Sequence, residues 1–365
     1  MISIVSILPK GEGFSPANFG AIALCVRDFT LHSQYKDTTT IIGGMAGPGF
    51  DGIHYYTPPR ARWYQNRTRA YAAGCARYIN SQNVTLAEIH NRPLILLLLA
   101  RKAKCKFVLH LHNDPQEMEG AKTPEERRKL LKLCAGIYCV SGYIRERFLE
   151  GIEGGNADGV HVVHNGLGIP SHVPEKEKLI VFAGRMTEGK GALLLAQALT
   201  IALPSLSGWK AVFIGSCRHE VAQKLTPHER EIAAILNRLG DKVTMPGFLS
   251  HEQTLDYFAR AEVAVVPSVW QEPFGRTAVE AMAYGCALIS SGRGGLREVT
   301  ADAAYTLADL TPESLAAAIT ILATDEAACK RLQLLARERA AYFSIAGCTK
   351  LLDKVRQKIL AGKGL

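Results

Sequence analysis

Short apolar segments alternate with longer amphipathic segments along the chain. In the first half the apolar segments are residues 2–8, 39–42, 86–90, 107–112 and 136–141. Short apolar runs bounded by turn residues predict buried strands, and the segments between them have the length and composition of helices. Strands that alternate with helices in this way predict a parallel sheet with helices on both faces.

A second series of the same kind follows the Gly/Pro-containing segment 165–174. Its predicted strands are residues 179–183, 211–214, 243–245, 263–267, 287–290 and 304–307, and a helix over 345–360 ends the pattern without a strand after it. The pattern predicts an α/β protein with two doubly wound, Rossmann-like domains, residues 1–170 and 171–344, followed by a terminal helical segment, 345–365. Because ligands bind beyond the carboxyl ends of such strands, two facing domains predict a site in a central cleft.

Composition narrows the class of protein. The 365 residues are 47% apolar and 21% charged, as in a globular protein, and the longest apolar run, residues 94–100, is too short to span a bilayer. The first ten residues have a strand pattern and no basic leader. Nine scattered cysteines without a CxxC pair indicate buried thiols in a reducing cytoplasm and no zinc cluster.

The formal charge of +9 is concentrated in one segment. Residues 60–106 contain ten basic residues against one acid, Glu88, and aromatic residues are interleaved among them. Part of this segment, 63–80, is predicted to be helical. Such a patch could face anionic lipid, nucleic acid or an acidic substrate, or it could be an ordinary solvated helix face. The residues singled out as an acceptor or membrane patch are Glu12, Arg60, Arg62, Trp63, Arg67 and Arg69.

The most informative stretch is residues 264–285, AVVPSVWQEPFGRTAVEAMAYG. It predicts a strand, a loop and a helix over 274–284, with Glu272 before the helix and Glu280 within it, roughly 10 Å apart along the axis. The free N–H groups of Gly275, Arg276 and Thr277 at the helix start favour an anion. Carboxylates on either side suit sugar hydroxyls, so the arrangement fits a nucleotide sugar. The alternative is two solvated surface charges.

Three further polar segments follow predicted strands. The Gly11-Glu12-Gly13 loop precedes a predicted helix start at Ser15-Pro16, residues 110–114 read HLHND, and residues 184–191 place Arg185 and Lys190 on a Gly-rich turn. Cations of this kind can neutralise a diphosphate without a metal ion.

The segments AGRMTEGKG, GFLSHEQ, EPFGRTAVEAMAYG and SGRGGLREV stand in an order and spacing that resembles the retaining nucleotide-sugar glycosyltransferases of family 4. The resemblance is strong over residues 179–299 and weaker over the first half, which in that family follows the acceptor. It implies the two-domain GT-B fold, with the terminal helix crossing back to the N-terminal domain.

The resemblance also implies roles for single residues. Arg185 and Lys190 would stabilise the leaving diphosphate, Glu272 would hold hydroxyls of the transferred sugar, and His112 would lie beside the anomeric carbon. His110 competes with His112 for that role, a structural role is open for His112, and His90, His161 and His164 are interpreted as structural. The implied donor-binding residues are Gly13, Gly247, Phe248, Leu249, Phe274, Gly275, Arg276, Thr277 and Glu280.

The chain departs from the family pattern at two places. Gly168 stands in the segment NGLG where the family usually has an aspartate, which puts in doubt a contact near the hinge or acceptor but not the donor site. The loop around Glu12 is longer and more acidic than the usual Gly-Gly turn, so Glu12 is a candidate for acceptor recognition.

The predicted reaction is transfer of a hexose from a UDP- or GDP-hexose with retention and without a metal or other cofactor. A retaining glycosidase would hold its carboxyls about 5 Å apart, so same-face attack is favoured over a covalent intermediate on Glu272. The expected acceptor is a lipid-linked or anionic glycan such as a lipopolysaccharide core, reached from the cytoplasm at the inner membrane surface, with no nucleic acid partner. Alternatives are a small soluble acceptor, as for a disaccharide synthase, and a non-catalytic nucleotide-sugar binder. A nicotinamide or flavin oxidoreductase is disfavoured because GxGxxG is missing.

Overall fold

The computed structural model describes residues 2–16, 18–45, 47, 49–64, 66–152, 157–216 and 225–362, which form two compact units. Unit 1 is Met1–Leu167 with Ser344–Leu365, and unit 2 is Gly168–Phe343. Each unit is a parallel sheet flanked by helices, which confirms the predicted α/β class with two Rossmann-like domains.

Unit 1 is built on a seven-stranded parallel sheet in the order β5-β4-β1-β6-β7-β8-β9. The strands of the unit are β1 (Ile4–Ile7), β2 (Phe14–Ser15), β3 (Asn18–Phe19), β4 (Thr39–Ile42), β5 (His54–Tyr56), β6 (Leu86–His90), β7 (Lys106–Leu111), β8 (Gly136–Cys139) and β9 (Val160–Val162). Its first five helices are α1 (Ala21–His32), α2 (Arg67–Ser81), α3 (Pro93–Leu99), α4 (Pro124–Leu133) and α5 (Gly142–Leu149). The strand order reverses between β1 and β6, and in such sheets this switch point is where ligands bind.

The predicted helix start at Ser15-Pro16 is wrong. β2 and β3 instead form a short antiparallel hairpin in which Phe14 pairs with Phe19. Phe14 is buried, with its ring centroid 5.0 Å from that of Phe50. Burial of this aromatic side chain therefore outweighs the local Ser-Pro helix signal, and α1 begins only at Ala21.

The predicted helix start at Trp63 is also wrong. α2 begins at Arg67 because the side chain of Asn66 accepts hydrogen bonds from the backbone N–H groups of Thr68 and Arg69. Trp63 and the residue after it therefore precede the helix.

The terminal helix, Ile345–Leu360, belongs to unit 1. Its buried apolar residues, including Leu352 and Val355, pack with Leu86 in the core. Arg356 donates two hydrogen bonds of 2.7 and 2.6 Å to the two carboxylate oxygens of buried Glu88 on β6. Burial alone would raise the pKa of Glu88, but the charge and hydrogen bonds of Arg356, with a smaller contribution from His110, together outweigh burial and hold that pKa well below its usual range.

Unit 2 has a six-stranded parallel sheet in the order β12-β11-β10-β13-β14-β15. Its strands are β10 (Glu177–Ala183), β11 (Lys210–Ile214), β12 (Val243–Gly247), β13 (Ala261–Val266), β14 (Ala287–Ser290) and β15 (Tyr305–Thr306). Its helices are α6 (Ala192–Ala202), α7 (Pro227–Leu236), α8 (His251–Arg260), α9 (Arg276–Ala283), α10 (Gly295–Thr300), α11 (Pro312–Thr324) and α12 (Glu326–Ala341). The switch point of this sheet lies between β10 and β13, and α6 and α11 enclose the main core with the sheet.

The structure describes eight cysteines, and no disulfide joins any two of these described residues. Six of these eight side chains are buried, namely Cys25, Cys75, Cys139, Cys286, Cys329 and Cys348. Burial raises the pKa of the Cys75 thiol to about 12, so that it stays protonated and unreactive. Cys217 lies outside the described residues.

Candidate functional site

A cavity of about 200 Å³ lies beyond the carboxyl ends of β10, β11 and β12 in unit 2. Arg185 follows β10, Gly215 and Ser216 follow β11, and the segment 248–249 follows β12. These three walls are thus the first loops after parallel strands, where the pattern of unit 2 predicts a ligand site, and α8 and α9 supply further residues of the lining. Of the predicted site residues, this cavity brings together Arg185, Phe248, Leu249, Thr277 and Glu280.

Glu280 lines this cavity with a carboxylate that protein contacts hold in place. Its Oε1 lies 2.9 Å from Nε2 of His251 and accepts a hydrogen bond of 2.8 Å from Nε of Arg276. Burial would raise the pKa of Glu280, but the His251 hydrogen bond and the Arg276 charge outweigh it and lower that pKa. The carboxylate therefore stays ionised and can accept hydrogen bonds from a hydroxyl. With 7% of its surface exposed, Glu280 is not a solvated surface charge.

Sequence reasoning did not single out His251. It is the first residue of α8, after Ser250, whose capping box with Gln253 fixes the helix start. The capping signal in GFLSHEQ predicts that His251 lies at a helix start. The contact of His251 with Glu280, 29 residues away, depends on the fold and could not be predicted from this segment.

The start of α9 depends on glycine at position 275. Gly275 has φ +93°, and a Cβ atom there would lie 2.3 Å from Cδ2 of Leu296. α9 begins at Arg276, and a helix start of this kind, where the N–H groups of the first turn point out of the helix, favours an anion. The helix ends at Ala283, with Gly285 at φ +72° as the predicted stop.

Glu272 and Lys190 form a second part of the site. Nζ of Lys190 lies 2.6 Å from Oε1 of Glu272, which also accepts a 2.6 Å hydrogen bond from the hydroxyl of buried Ser268. Nζ of Lys190 also lies 5.1 Å from the ring centroid of Trp270, a cation–π distance. Glu272 is 4% exposed, so a surface role is wrong for this residue as well.

The backbone of Glu272 is held by the two glycines at the start of α10. Gly295 donates a 2.6 Å hydrogen bond to the carbonyl of Glu272, and Gly294 forms a bridge with Glu272. A Cβ atom on Gly294 would lie 2.4 Å from that carbonyl oxygen, so only glycine allows the approach. This contact explains Gly294 and Gly295 of SGRGGLREV.

Five predicted donor residues do not line the 200 Å³ cavity, namely Gly13, Gly247, Phe274, Gly275 and Arg276. Phe274 is buried, and its ring packs edge-to-face on Phe343 with centroids 5.6 Å apart. Gly247 ends β12 with φ +79°, and its carbonyl accepts a 2.8 Å hydrogen bond from Gly215.

In unit 1 the Gly11-Glu12-Gly13 loop follows β1. Oε1 of Glu12 accepts a 3.3 Å hydrogen bond from the backbone N–H of Ala23, in the first turn of α1. The N-cap residue, Gly20, has no side chain to do this, and a Cβ atom there would lie 2.3 Å from Oε1 of Glu12. Glu12 therefore caps α1. A Cβ atom on Gly13 would lie 2.5 Å from the carbonyl oxygen of Asn18, so Gly13 is needed for the hairpin.

His112 lies just after β7, beside His90 at the end of β6. Nε2 of His112 lies 2.9 Å from Nδ1 of His90. Asn91, in the left-handed region at φ +54°, accepts a 2.8 Å hydrogen bond from the backbone N–H of His112 through Oδ1. The structure thus joins His112 to His90, which the sequence suggested was only structural.

A cavity of about 290 Å³ lies at the switch point of unit 1, beyond β1 and β6. Four charged residues line it, Lys10, Arg92, Glu117 and Glu119, together with apolar residues of α3. Sequence reasoning did not single these residues out. Lys10 and Arg92 each follow a predicted strand end, so the carboxyl-end rule could have found them.

The basic aromatic patch is exposed on unit 1. Trp63 is 96% exposed and Tyr64 is 60% exposed, and the two rings pack edge-to-face. Four arginines of the patch are also exposed, namely Arg60, Arg62, Arg67 and Arg69. Within the described ranges, no helix combines the length and the apolar character that crossing a membrane requires.

The chain is similar in sequence and in fold to known proteins. Residues 169–339 match the family model for glycosyl transferases group 1. The putative glycosyltransferase YtcC of Bacillus subtilis is 26% identical over 86% of this chain and 80% of its own length. The lipopolysaccharide 1,2-N-acetylglucosaminetransferase of Salmonella typhimurium is 26% identical over 61% of this chain and 59% of its own length.

The crystal structure of Anabaena HepE in complex with UDP and glucose is 17% identical, with a TM-score of 0.76 over 98% of this chain and 100% of that one. At this identity the likeness concerns the fold, and it extends over both units. The family model covers almost all of unit 2, which thus resembles a group 1 glycosyltransferase domain, and the chain as a whole has the GT-B fold.

Proposed function

We propose that the chain is a retaining hexosyltransferase that uses a UDP- or GDP-hexose as donor and a glycan hydroxyl as acceptor. The observation that carries the proposal is the 200 Å³ cavity at the carboxyl ends of β10, β11 and β12, with the Glu280 carboxylate held on its wall. A buried, ionised carboxylate in a cavity of this size suits the paired hydroxyls of a ribose.

The donor is bound in three parts. The base lies near Gly247, Phe248 and Leu249, and the ribose hydroxyls donate to Glu280. The diphosphate accepts hydrogen bonds from the N–H groups at the start of α9, from the Thr277 hydroxyl and from the Arg185 guanidinium. These groups supply positive charge and donors without a metal ion, which is why no metal or other cofactor is part of the proposal.

Lys190 and Glu272 act where the sugar leaves the phosphate. The Lys190 ammonium has three N–H donors, and the contact with Glu272 uses one, so two remain for the β-phosphate. Glu272 keeps its second oxygen for hydroxyls of the hexose. Because the Oε1 atom is already held by Lys190 and Ser268, we assign Glu272 to sugar binding and not to nucleophilic attack.

The chemical step is a same-face displacement. The bond between the anomeric carbon and the β-phosphate oxygen breaks, and the acceptor oxygen bonds to the anomeric carbon on the same face. The departing phosphate takes the acceptor proton, and its developing negative charge is stabilised by Arg185, Lys190 and the start of α9.

The acceptor is a lipid-linked or anionic glycan, bound by unit 1 at the cytoplasmic surface of a membrane. Two features support this part: the 290 Å³ cavity with Lys10 and Arg92 on its walls, and the exposed patch around Trp63. Basic residues next to an exposed tryptophan suit an anionic lipid surface.

The test is a thermal-shift screen with UDP- and GDP-sugars, followed by a transfer assay. We expect one nucleotide class to raise Tm, because a ligand that binds only the folded state stabilises it. NMR of the product should show the same anomeric configuration as the donor. Inversion would contradict the mechanism, and turnover only with small soluble sugars would contradict the acceptor.

A further inference from the structure

Three imidazoles stack at the carboxyl ends of β6 and β7. His90 and His110 are register partners on these neighbouring strands, with ring centroids 4.3 Å apart, and His112 lies two residues further along on the same face. The centroids of His90 and His112 are 5.2 Å apart. The cluster thus connects the interior of the sheet to the predicted site residue His112.

Hydrogen bonds run through two of these rings from β1. The hydroxyl of Ser6, in the middle of β1, lies 2.7 Å from Nε2 of His90, and Nδ1 of His90 lies 2.9 Å from Nε2 of His112. Burial lowers the pKa of His90 well below its usual value and that of His112 to about 3, and the neighbouring His110 adds to both shifts. Both rings are therefore neutral at physiological pH, and each carries one ring proton.

The direction of these hydrogen bonds follows from Ser6. Its side chain is 2% exposed, and among the described residues Nε2 of His90 is the acceptor within reach of the hydroxyl. A buried hydroxyl that does not donate costs free energy, so Ser6 donates to Nε2 of His90. The single proton of His90 is then on Nδ1 and is donated to Nε2 of His112, whose own proton must be on Nδ1.

Binding of a divalent cation is the competing role for these rings, since one nitrogen atom from each of His90, His110 and His112 lies within 4.8 Å of the other two. The ring planes, however, are only 14° to 29° apart. Lone pairs lie in the ring planes, so nearly parallel rings do not direct three of them at one point. Both nitrogens of His90 are also engaged, by Ser6 and by His112.

The third ring of the cluster, His110, contacts Glu88 and Tyr138. Nε2 of His110 lies 3.8 Å from Oε2 of Glu88, which is paired with Arg356, and the ring packs edge-to-face on Tyr138. The charge of the Glu88 carboxylate is thus largely balanced by Arg356, and His112 receives its hydrogen bond from His90.

We propose that Ser6 and His90 are positioning residues that hold His112 as a neutral imidazole with its proton on Nδ1. Resting on the proposed function, His112 then donates a hydrogen bond to an oxygen of the transferred sugar or acceptor and does not act as the general base. This assignment agrees with a step in which the departing phosphate takes the acceptor proton.

The first test measures the tautomer directly. Long-range ¹H–¹⁵N correlation spectra of protein labelled with ¹⁵N-histidine report which ring nitrogen carries the proton, and the signals of His112 are assigned from their loss in His112→Gln. We expect the Nδ1–H form in the wild type at pH 7 and a mixture of both forms in Ser6→Ala. An Nε2–H form in the wild type overturns the proposal. This readout does not depend on transfer activity, so it still decides the tautomer if the proposed function fails.

The second test uses kinetics with matched variants. We expect Ser6→Ala and His90→Leu to lower kcat about tenfold, the value of one hydrogen bond, with little change in KM for the donor. His90→Asn should recover most of the rate, because its side-chain amide can donate from the place of Nδ1. Wild-type kcat in a folded Ser6→Ala protein contradicts the positioning role.

A zinc titration of the wild type and of His90→Leu tests the competing role. We expect no stoichiometric binding that depends on His90. One zinc ion per chain, lost in His90→Leu, would replace the hydrogen-bond chain by a metal site.

Discussion

At the scale of single residues, Glu272 and Glu280 differ in the contacts of their carboxylates. Glu280 lines the 200 Å³ cavity, whereas Glu272 is paired with Lys190. We expect Glu280→Gln to raise KM for the donor by about ten- to hundredfold with little change in kcat, because a hydrogen bond to a charged group contributes about 1.5–3 kcal/mol. Glu272→Gln should instead lower kcat by a similar factor. Steady-state kinetics with the donor found by thermal shift measures both.

The control for both substitutions is Glu231→Gln, an exposed glutamate on α7 of the same unit. It should leave KM and kcat unchanged. Equal losses of kcat at Glu272 and Glu280, without a change in KM, would contradict the division between donor binding and turnover.

Single residues also show what sequence reasoning can and cannot find. Glu272, Glu280 and Lys190 were predicted because they stand in recognisable segments next to predicted strands. His251 and Ser6 were not, because their contacts with Glu280 and His90 are formed between residues 29 and 84 positions apart. No local pattern specifies such a contact before the strand order is known.

At the scale of elements, α9 depends on the left-handed conformation of Gly275. In Gly275→Ala, the native backbone would be strained for two reasons: the φ of +93° disfavours alanine, and the new Cβ atom would lie 2.3 Å from Cδ2 of Leu296. We expect the free energy of unfolding to fall by at least about 1–3 kcal/mol and donor affinity to fall with it, since the N–H groups of α9 move. Urea unfolding and donor titration measure the two effects.

A matched control is Gly168→Ala in the same unit, where a Cβ atom meets nothing within 4 Å and φ is not in the left-handed region. This variant should unfold like the wild type. If Gly275→Ala were as stable and bound donor as tightly as Gly168→Ala, the start of α9 would not be the anion site.

The elements that sequence predicted best are those whose burial and local pattern agree. β4, β6, β14 and the terminal helix have the bounds that their apolar patterns predict. The failures lie where tertiary contacts decide. Burial of Phe14 against Phe50 makes a hairpin of the segment after β1, and capping by Asn66 delays the start of α2.

At the scale of the whole molecule, two histidines that stay neutral in the folded chain make its stability depend on pH. The pKa values of His90 and His112 are lowered in the folded chain, to about 3 for His112, so below pH 6.5 the unfolded chain binds more protons than the folded one. The contribution of the two histidines to the free energy of unfolding is complete above pH 6.5 and is lost as the pH falls below that value. We expect the two histidines together to lower the free energy of unfolding by about 3–4 kcal/mol between pH 7 and pH 5.

Urea unfolding at the two pH values measures this loss. The double variant His90→Asn/His112→Gln removes both imidazoles. Its free energy of unfolding should therefore fall less than that of the wild type between pH 7 and pH 5, by about 3–4 kcal/mol. An equal loss in both proteins would show that the two histidines do not stay neutral in the folded chain.

Unit 1 also exposes the patch of Trp63, Tyr64 and four arginines. If it contacts anionic lipid, sedimentation with vesicles should rise with the fraction of anionic phospholipid and fall with added salt. Replacing Arg60, Arg62, Arg67 and Arg69 by glutamine should weaken binding at least tenfold, since each basic residue near such a surface contributes about 1 kcal/mol. Trp63→Ala should weaken it with less dependence on salt, because its contribution is apolar.

The same number of charges removed elsewhere separates this patch from net charge alone. A control variant replaces four exposed basic residues outside the patch by glutamine, namely Lys210, Arg238, Arg331 and Lys354. Both variants have the same formal charge, so equal vesicle binding by the two would mean that net charge alone attracts the protein. Weaker binding of the patch variant alone, with transfer to a soluble analogue of the acceptor unchanged, would place the lipid contact on unit 1 and leave the donor cavity of unit 2 out of it.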